Sequence, residues 1–301
     1  MPNDRMNKPA SGLDQCGREA GWGRALRLII NGETAESGEN RCRSLGWLQF
    51  STCVWRCHLL RIVRFAVPTL GLLAGILTMA GEQPSVPKAE GVIGQTAIGK
   101  VLFLGNSITL HGPLESIGWS GNWGMAASEQ SNDYVHLLTK HIADASHKHP
   151  EIMVRNIADF ERDYQNFDIQ KNLEAAIAFE ADLIIIAIGE NVSSLATEKD
   201  EQDYEAAVTA LLHALHAKKM RACFVRSTFW SDAAKDKALS RACDATEATF
   251  VNLGKLDADE THFANSERHI EHAGVGRHPG DKGMKAIADG LWSAIEKKLP
   301  K

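Results

Sequence analysis

Apolar residues fall in two alternating patterns over the last two thirds of the chain. Lys100–Leu104, Ile152–Val154, Leu183–Ile188, Cys223–Val225 and Phe250–Val251 are short, almost continuous apolar runs, the signature of strands buried on both faces. Between them lie residues spaced at three and four. Tyr134, Leu137, Leu138, His141 and Ile142 form one such set, and Leu173, Ala176, Ile177 and Phe179 a second. A third is Tyr204, Val208, Leu211, Leu212 and Leu215; a helix near 232–246 and a last one through Met284, Ile287, Leu291 and Ile295 complete the series. Buried strands alternating with amphipathic helices predict a parallel sheet covered on both sides, an α/β fold. About 220 residues suffice for one such domain with a full core. No internal repeat is visible.

The first third reads differently. Residues 65–80, FAVPTLGLLAGILTMA, carry no charge; Arg61 and Arg64 precede them and small residues stand at Thr78 and Ala80. A basic flank, an apolar core and a small-residue cut site make a signal peptide, or a membrane anchor if the segment is retained. The expected location is therefore exported: periplasmic, extracellular or anchored in the envelope. Residues 1–64 show no sustained period and are expected to be a disordered arm or an over-extended translation start. Residues 81–96, punctuated by Pro and Gly, read as a linker, which leaves 97–301 as the functional domain.

Charge follows the same division. Residues 1–64 hold ten Lys/Arg against six Asp/Glu, and residues after 80 hold 23 against 32, within an overall formal charge of −5. That balance argues against a nucleic-acid-coating protein. Cys53, Cys57 and His58 lack a second ligand pair at zinc spacing, and His213 with His216 lack a carboxylate partner, so no metal or other cofactor is expected. Cys223 and Cys243 are compatible with a disulfide or with two buried thiols.

Parallel sheets place their chemistry beyond the C-terminal strand ends. Here these ends carry Gly105-Asn106-Ser107-Ile108-Thr109, Asn156-Ile157-Ala158-Asp159 and Gly189-Glu190-Asn191, and Gly276-Arg277-His278-Pro279-Gly280-Asp281 precedes the last helix. A serine at a sharp glycine turn, a histidine to take its proton and an amide to meet an oxyanion are what acyl transfer needs. The order and spacing of these blocks resemble the SGNH/GDSL hydrolase superfamily, over about residues 97–298. The resemblance implies a three-layer α/β/α sandwich around a parallel, flavodoxin-like sheet. It implies ester hydrolysis with Ser107 as nucleophile, His278 as base, and the Ser107 N–H and Asn191 side chain as oxyanion donors. Two positions depart from the family pattern. Val275 stands where an aspartate is usual, leaving either a Ser-His dyad with the Val275 carbonyl on the imidazole or an acid from among Asp257, Asp259, Glu260, Glu271 and Asp281. No glycine stands at 156–160, so that oxyanion donor would be a backbone N–H between Ala158 and Phe160.

The loop 110–130 follows Ser107 and holds Trp119, Asn122 and Trp123, which read either as sugar-contacting residues at the site rim or as residues that plug the loop to the core. The expected substrate is a small-molecule or carbohydrate ester, with a non-catalytic carbohydrate-binding relative as the alternative. A flavodoxin-like binding or signalling domain would leave the His278 block unexplained. His262, His269 and His272 belong to the stretch expected to deliver His278. Nothing in the sequence fixes an oligomeric state.

Overall fold

The computed structural model describes residues 90–216 and 222–299. The arm 1–64 and the signal or anchor segment 65–80 lie outside the described residues. The first described element is a hairpin of β1 (Val92–Ile93) and β2 (Thr96–Ala97). All of it but Ala97 falls inside the stretch 81–96 expected to be a linker. Gly91 and Gly94, which read as loop punctuation, instead take the positive φ angles (77° and 59°) of tight turns. The Gly91 N–H donates to the Ser146 carbonyl at 2.8 Å, and buried Ile93 packs with the core.

β3 (Lys100–Gly105) leads through a long loop into α1 (Tyr134–Ser146) and β4 (Glu151–Asn156). Three short helices follow: α2 (Ala158–Arg162), α3 (Ile169–Asn172) and α4 (Glu174–Ala178). Then come β5 (Leu183–Ala187), α5 (Glu198–His216), β6 (Ala222–Arg226), α6 (Ala233–Thr246) and β7 (Thr249–Val251). The chain closes with short α7 (Ala264–Glu267) and α8 (Ala273–Gly276), then α9 (Asp281–Lys298). Among the described residues, β4-β3-β5-β6-β7 form a five-stranded sheet in which every pairing is parallel. The order places the crossover between β4 and β5 around β3, so the C-terminal end of β3 is the topological switch point.

Strand residues alternate between two core layers, as a period of two requires. Leu102, Leu104, Ile184, Ile186 and Val225 face the layer filled by Tyr204, Val208 and Leu211 of α5 and Leu239 of α6. Val101, Phe103, Leu183, Ile185 and Phe224 face Tyr134 and Leu138 of α1 and Met284, Ile287 and Leu291 of α9. The result is an α/β/α sandwich. Cys223 and Cys243 both lie in the first layer as free thiols, and burial pushes the Cys243 thiol up to about 12. Neither thiol is therefore reactive at neutral pH.

Candidate active site

The β3 strand ends in a turn that only glycine permits at its first position. A Cβ on Gly105 would stand 2.0 Å from Thr109 Oγ1 and 2.8 Å from the Ala187 carbonyl. Fully buried Asn106 then organises the turn with its side-chain oxygen and its backbone carbonyl. Its Oδ1 accepts from the Ile108 N–H at 3.1 Å, and its backbone carbonyl accepts from Thr109 and Leu110 at 2.9 and 3.0 Å. Ser107 is thereby lifted out of the core, half-buried, at the mouth of the sheet.

His278 comes from the other end of the sequence, on the segment between α8 and α9. The Ala264 N–H donates to the His278 carbonyl at 2.9 Å, and Phe263 bridges Pro279, so the stretch holding His262, His269 and His272 does carry this histidine. His278 Nε2 lies 2.8 Å from Ser107 Oγ. Its Nδ1 lies 2.7 Å from the carbonyl oxygen of Gly274. A carbonyl only accepts, so Nδ1 carries the proton and Nε2 presents its lone pair to the serine hydroxyl. The Trp230 ring meets the imidazole edge to face at 5.2 Å between centroids, fixing it laterally. Burial, with His111 nearby, holds the imidazole below the ordinary histidine range, against the opposing effect of the Gly274 hydrogen bond.

The carbonyl is not the one expected. The Val275 oxygen accepts the backbone N–H of His278 itself at 3.0 Å, and Val275 packs into an apolar cluster with Trp119, Met125, Ala126 and Ala264. Four of the five substitute acids have other partners. Asp257 accepts from Ser231 Oγ, Asp259 caps Thr261, Glu260 pairs with Arg277, and Asp281 binds the backbone N–H and hydroxyl of Ser128. Glu271 is exposed.

Ser107, Asn191, Asp159 and His278 line one cavity of about 500 Å³, with Met125 and Val275 on its apolar side. Of the amides between Ala158 and Phe160, Ala158 donates to Asn156 Oδ1 at 2.9 Å and Phe160 to the Ile157 carbonyl at 2.9 Å. The Asp159 N–H has no acceptor among the described residues, so the start of α2 offers one donor without any glycine.

A polar layer that sequence reasoning missed lies beneath the cavity. Glu161, 0% exposed, accepts from the Gly189 N–H at 2.5 Å and Asn106 Nδ2 at 3.1 Å through one oxygen, and from Asn191 Nδ2 at 2.7 Å through the other. Glu190 accepts from Asn106 Nδ2 at 2.6 Å, from Arg226 Nη1 at 2.7 Å and from the Phe229 N–H at 2.8 Å. Burial and then the charge of Glu190 raise the Glu161 carboxyl. Glu190 sits below its ordinary range because the Arg226 guanidinium and three hydrogen bonds overcome its burial. The signal available in the sequence was an arginine ending an otherwise apolar central strand and a glutamate inside the Gly189–Asn191 block.

The structure does not bring Trp119, Asn122 or Trp123 to the cavity. The two indoles pack edge to face at 5.6 Å, and their N–H groups donate to the carbonyls of His111 and Ala127. Asn122 is exposed. The tryptophans tie their loop to the body of the domain. Among the described residues no group of three His, Cys, Asp or Glu side chains is placed to hold a metal ion, and no helix is long and apolar enough to cross a membrane.

No protein-family model matches the chain, and no curated protein matches it. Among solved structures it is similar to a GDSL-like lipase from Bacteroides uniformis, with 12% identity and a TM-score of 0.44 over 67% of this chain and 97% of that one. It is similar to an acetyl xylan esterase from Butyrivibrio proteoclasticus, with 15% identity and a TM-score of 0.44 over 66% of this chain and 64% of that one. A carbohydrate esterase family 3 protein from Talaromyces cellulolyticus gives 14% identity and a TM-score of 0.42 over 66% and 99%.

Proposed function

We propose that this chain is a serine ester hydrolase of the SGNH/GDSL type that removes a small acyl group, with a carbohydrate ester as the first substrate to test. The observation that carries the reading is the relay Ser107 Oγ, His278 Nε2, His278 Nδ1, Gly274 O, with a 2.8 Å link between residues 171 positions apart in sequence and a 2.7 Å link from the same ring to Gly274. A hydroxyl is a poor nucleophile until a base accepts its proton, and this imidazole is held in the tautomer that can do so.

In the proposed reaction Ser107 Oγ attacks the ester carbonyl while its proton passes to His278 Nε2. The carbonyl π pair moves onto oxygen. Donors for that oxyanion are the N–H groups of Ser107 and Asp159 and the Asn191 side-chain amide. His278 then returns the proton to the leaving alcohol as the C–O bond breaks. A water, deprotonated by the same nitrogen, releases the acid from Ser107. The Gly274 carbonyl supports the imidazolium formed at each step with its dipole, in place of a carboxylate.

The polar lining, including Asn156 and Arg162, suits a hydroxyl-bearing leaving group, and the Met125 and Val275 side suits a short acyl chain. The test is labelling by a fluorophosphonate, with release of p-nitrophenol from its acetate. Wild-type protein should label once and turn over, whereas Ser107→Ala should lose labelling and at least about a thousand-fold in kcat while keeping its melting temperature. An alanine variant that keeps its turnover overturns the assignment. A wild type that neither labels nor turns over, yet binds acylated oligosaccharide, returns the non-catalytic carbohydrate-binding reading. We also propose that residues 65–80 direct export; N-terminal sequencing of envelope-derived protein should begin near Gly81, and an intact cytosolic chain overturns this.

A further inference from the structure

Asn191 can serve an oxyanion only if its amide is held in place before the substrate arrives, because a donor that must reorient during the reaction gives up most of its advantage. Asn191 stands just after β5, in a loop, and is half-exposed at the cavity. Glu161 is the group that meets it from below.

We propose that Glu161 is a positioning residue for the oxyanion donor, holding the Asn191 amide by one N–H so that the other is presented to the cavity. The proposal rests on the serine-esterase reading above. The geometry is specific. Glu161 Oε2 takes one Asn191 N–H at 2.7 Å, and an amide nitrogen has a second N–H at about 120° to the first. Glu161 cannot itself drift, since its other oxygen is held by the Gly189 N–H at 2.5 Å and by Asn106 Nδ2 at 3.1 Å.

Both of those partners are structurally fixed. A Cβ on Gly189 would stand 2.6 Å from Thr228 Cγ2, and its φ of 124° lies where side-chain-bearing residues are strained. Asn106 is the residue that shapes the nucleophile turn and is itself tied to Glu190 at 2.6 Å. One carboxyl group therefore connects the nucleophile turn after β3, the oxyanion loop after β5 and helix α2, whose Asp159 N–H is the third donor. A buried carboxyl is expensive to keep, and a structural anchor for α2 alone would need no contact with Asn191.

The test is a double-mutant cycle on kcat with p-nitrophenyl acetate, using Glu161→Gln and Asn191→Ala singly and together. Gln keeps the volume but turns a donor toward Asn191 or gives up the Gly189 contact. Acting through Asn191, E161Q should lower kcat about ten-fold or more with KM changed less than about three-fold, and should cost less than about two-fold when Asn191 is already alanine. An equal loss in both backgrounds, or an unchanged kcat in the single variant, overturns the proposal.

A second measurement stands whether or not E161Q folds. In the wild type, the Asn191 side-chain amide should show one proton shifted downfield and protected from solvent exchange while its geminal partner is not. Two protons exchanging at the rate of surface asparagines overturn it. The two readings fail distinguishably: a wild type that neither labels nor turns over removes the esterase reading and this proposal with it. An active wild type with an indifferent Glu161 removes only the proposal.

Discussion

On the proposed Ser107–His278 mechanism, neutralising any of the five acids near the His278 segment should leave ester hydrolysis in place. The perturbation is Asp257→Asn, Asp259→Asn, Glu260→Gln, Glu271→Gln and Asp281→Asn, each alone. A triad carboxylate has to sit within hydrogen-bond distance of His278 Nδ1, and that position is filled by the Gly274 oxygen at 2.7 Å. Asp257 instead holds Ser231 at 2.6 Å, Glu260 holds Arg277 at 3.0 Å and Asp281 holds Ser128 at 2.8 and 2.6 Å. Neutralising a true triad aspartate costs about ten-thousand-fold in kcat. With a carbonyl as partner, the loss on replacing a distant carboxylate is only its long-range support of the imidazolium. In a solvated site that is about 1 kcal/mol or less, under about ten-fold in rate. The assay is kcat and kcat/KM on p-nitrophenyl acetate, with a melting curve for each variant. A single substitution that drops kcat by more than about a thousand-fold at unchanged melting temperature would refute the dyad and identify the displaced acid.

Four further outcomes are expected. The acid limb of kcat/KM reports His278 in the free enzyme, and since burial lowers its pKa, the limb should fall below the usual histidine value of about 6.5; a midpoint above 7 contradicts this. The same depression means the unfolded chain binds the extra proton first, so stability should drop as pH falls from about 6.5 through the folded-state value, and His278→Ala should flatten that part of the melting profile. Arg226→Met leaves Glu190 buried without its cation and should cost about 3–5 kcal/mol in urea unfolding at pH 8, and less at pH 5, where the unpaired carboxyl protonates. Trp119→Ala, at a position only 9% exposed, should cost about 3–5 kcal/mol of stability. An unchanged melting temperature with a raised KM for oligosaccharide would restore the sugar-contact reading of that loop.

Most of the scaffold was legible because it follows from period. Leu183–Ala187 is apolar at every position because both faces of β5 are covered, and Tyr204, Val208 and Leu211 recur at helical spacing because one face of α5 meets that sheet. The candidates Ser107 and Asn191 stood out by residue type at strand ends, and His278 by its block before the last helix. Glu161 did not: in Ala158-Asp159-Phe160-Glu161-Arg162 it looks like a solvated helix position. Its burial comes from where the start of α2 docks, against the loops after β3 and β5, which no local pattern encodes. The tryptophan loop was open to two readings for the opposite reason. Trp119 and Trp123 carry the chemistry of a sugar platform, but whether an indole faces solvent or plugs its own loop is decided by packing partners such as Ala264 and Val275, distant in sequence.

The two positions at which the chain departs from the SGNH/GDSL pattern it resembles have a common physical answer under the proposed function. On that reading, backbone groups stand in for both the missing aspartate and the missing oxyanion glycine: the Gly274 carbonyl, 2.7 Å from His278 Nδ1, and the Asp159 N–H at the start of α2. A backbone dipole needs no particular side chain at its own residue, which frees position 275 for valine in the apolar cluster and position 158 for buried alanine. It does need the backbone to be held, and a loop carbonyl is only as well placed as the turn that carries it. Here α8 closes on itself, with the His278 N–H on the Val275 carbonyl at 3.0 Å and His272 capping the Val275 N–H at 3.3 Å. On the other side of the cavity the buried layer of Glu161, Asn106, Glu190 and Arg226 holds α2 and the loop after β5. On the proposed mechanism, such a site is sensitive to substitutions one layer below Ser107 and His278, because its backbone donors and acceptors are only as well placed as the groups that hold them.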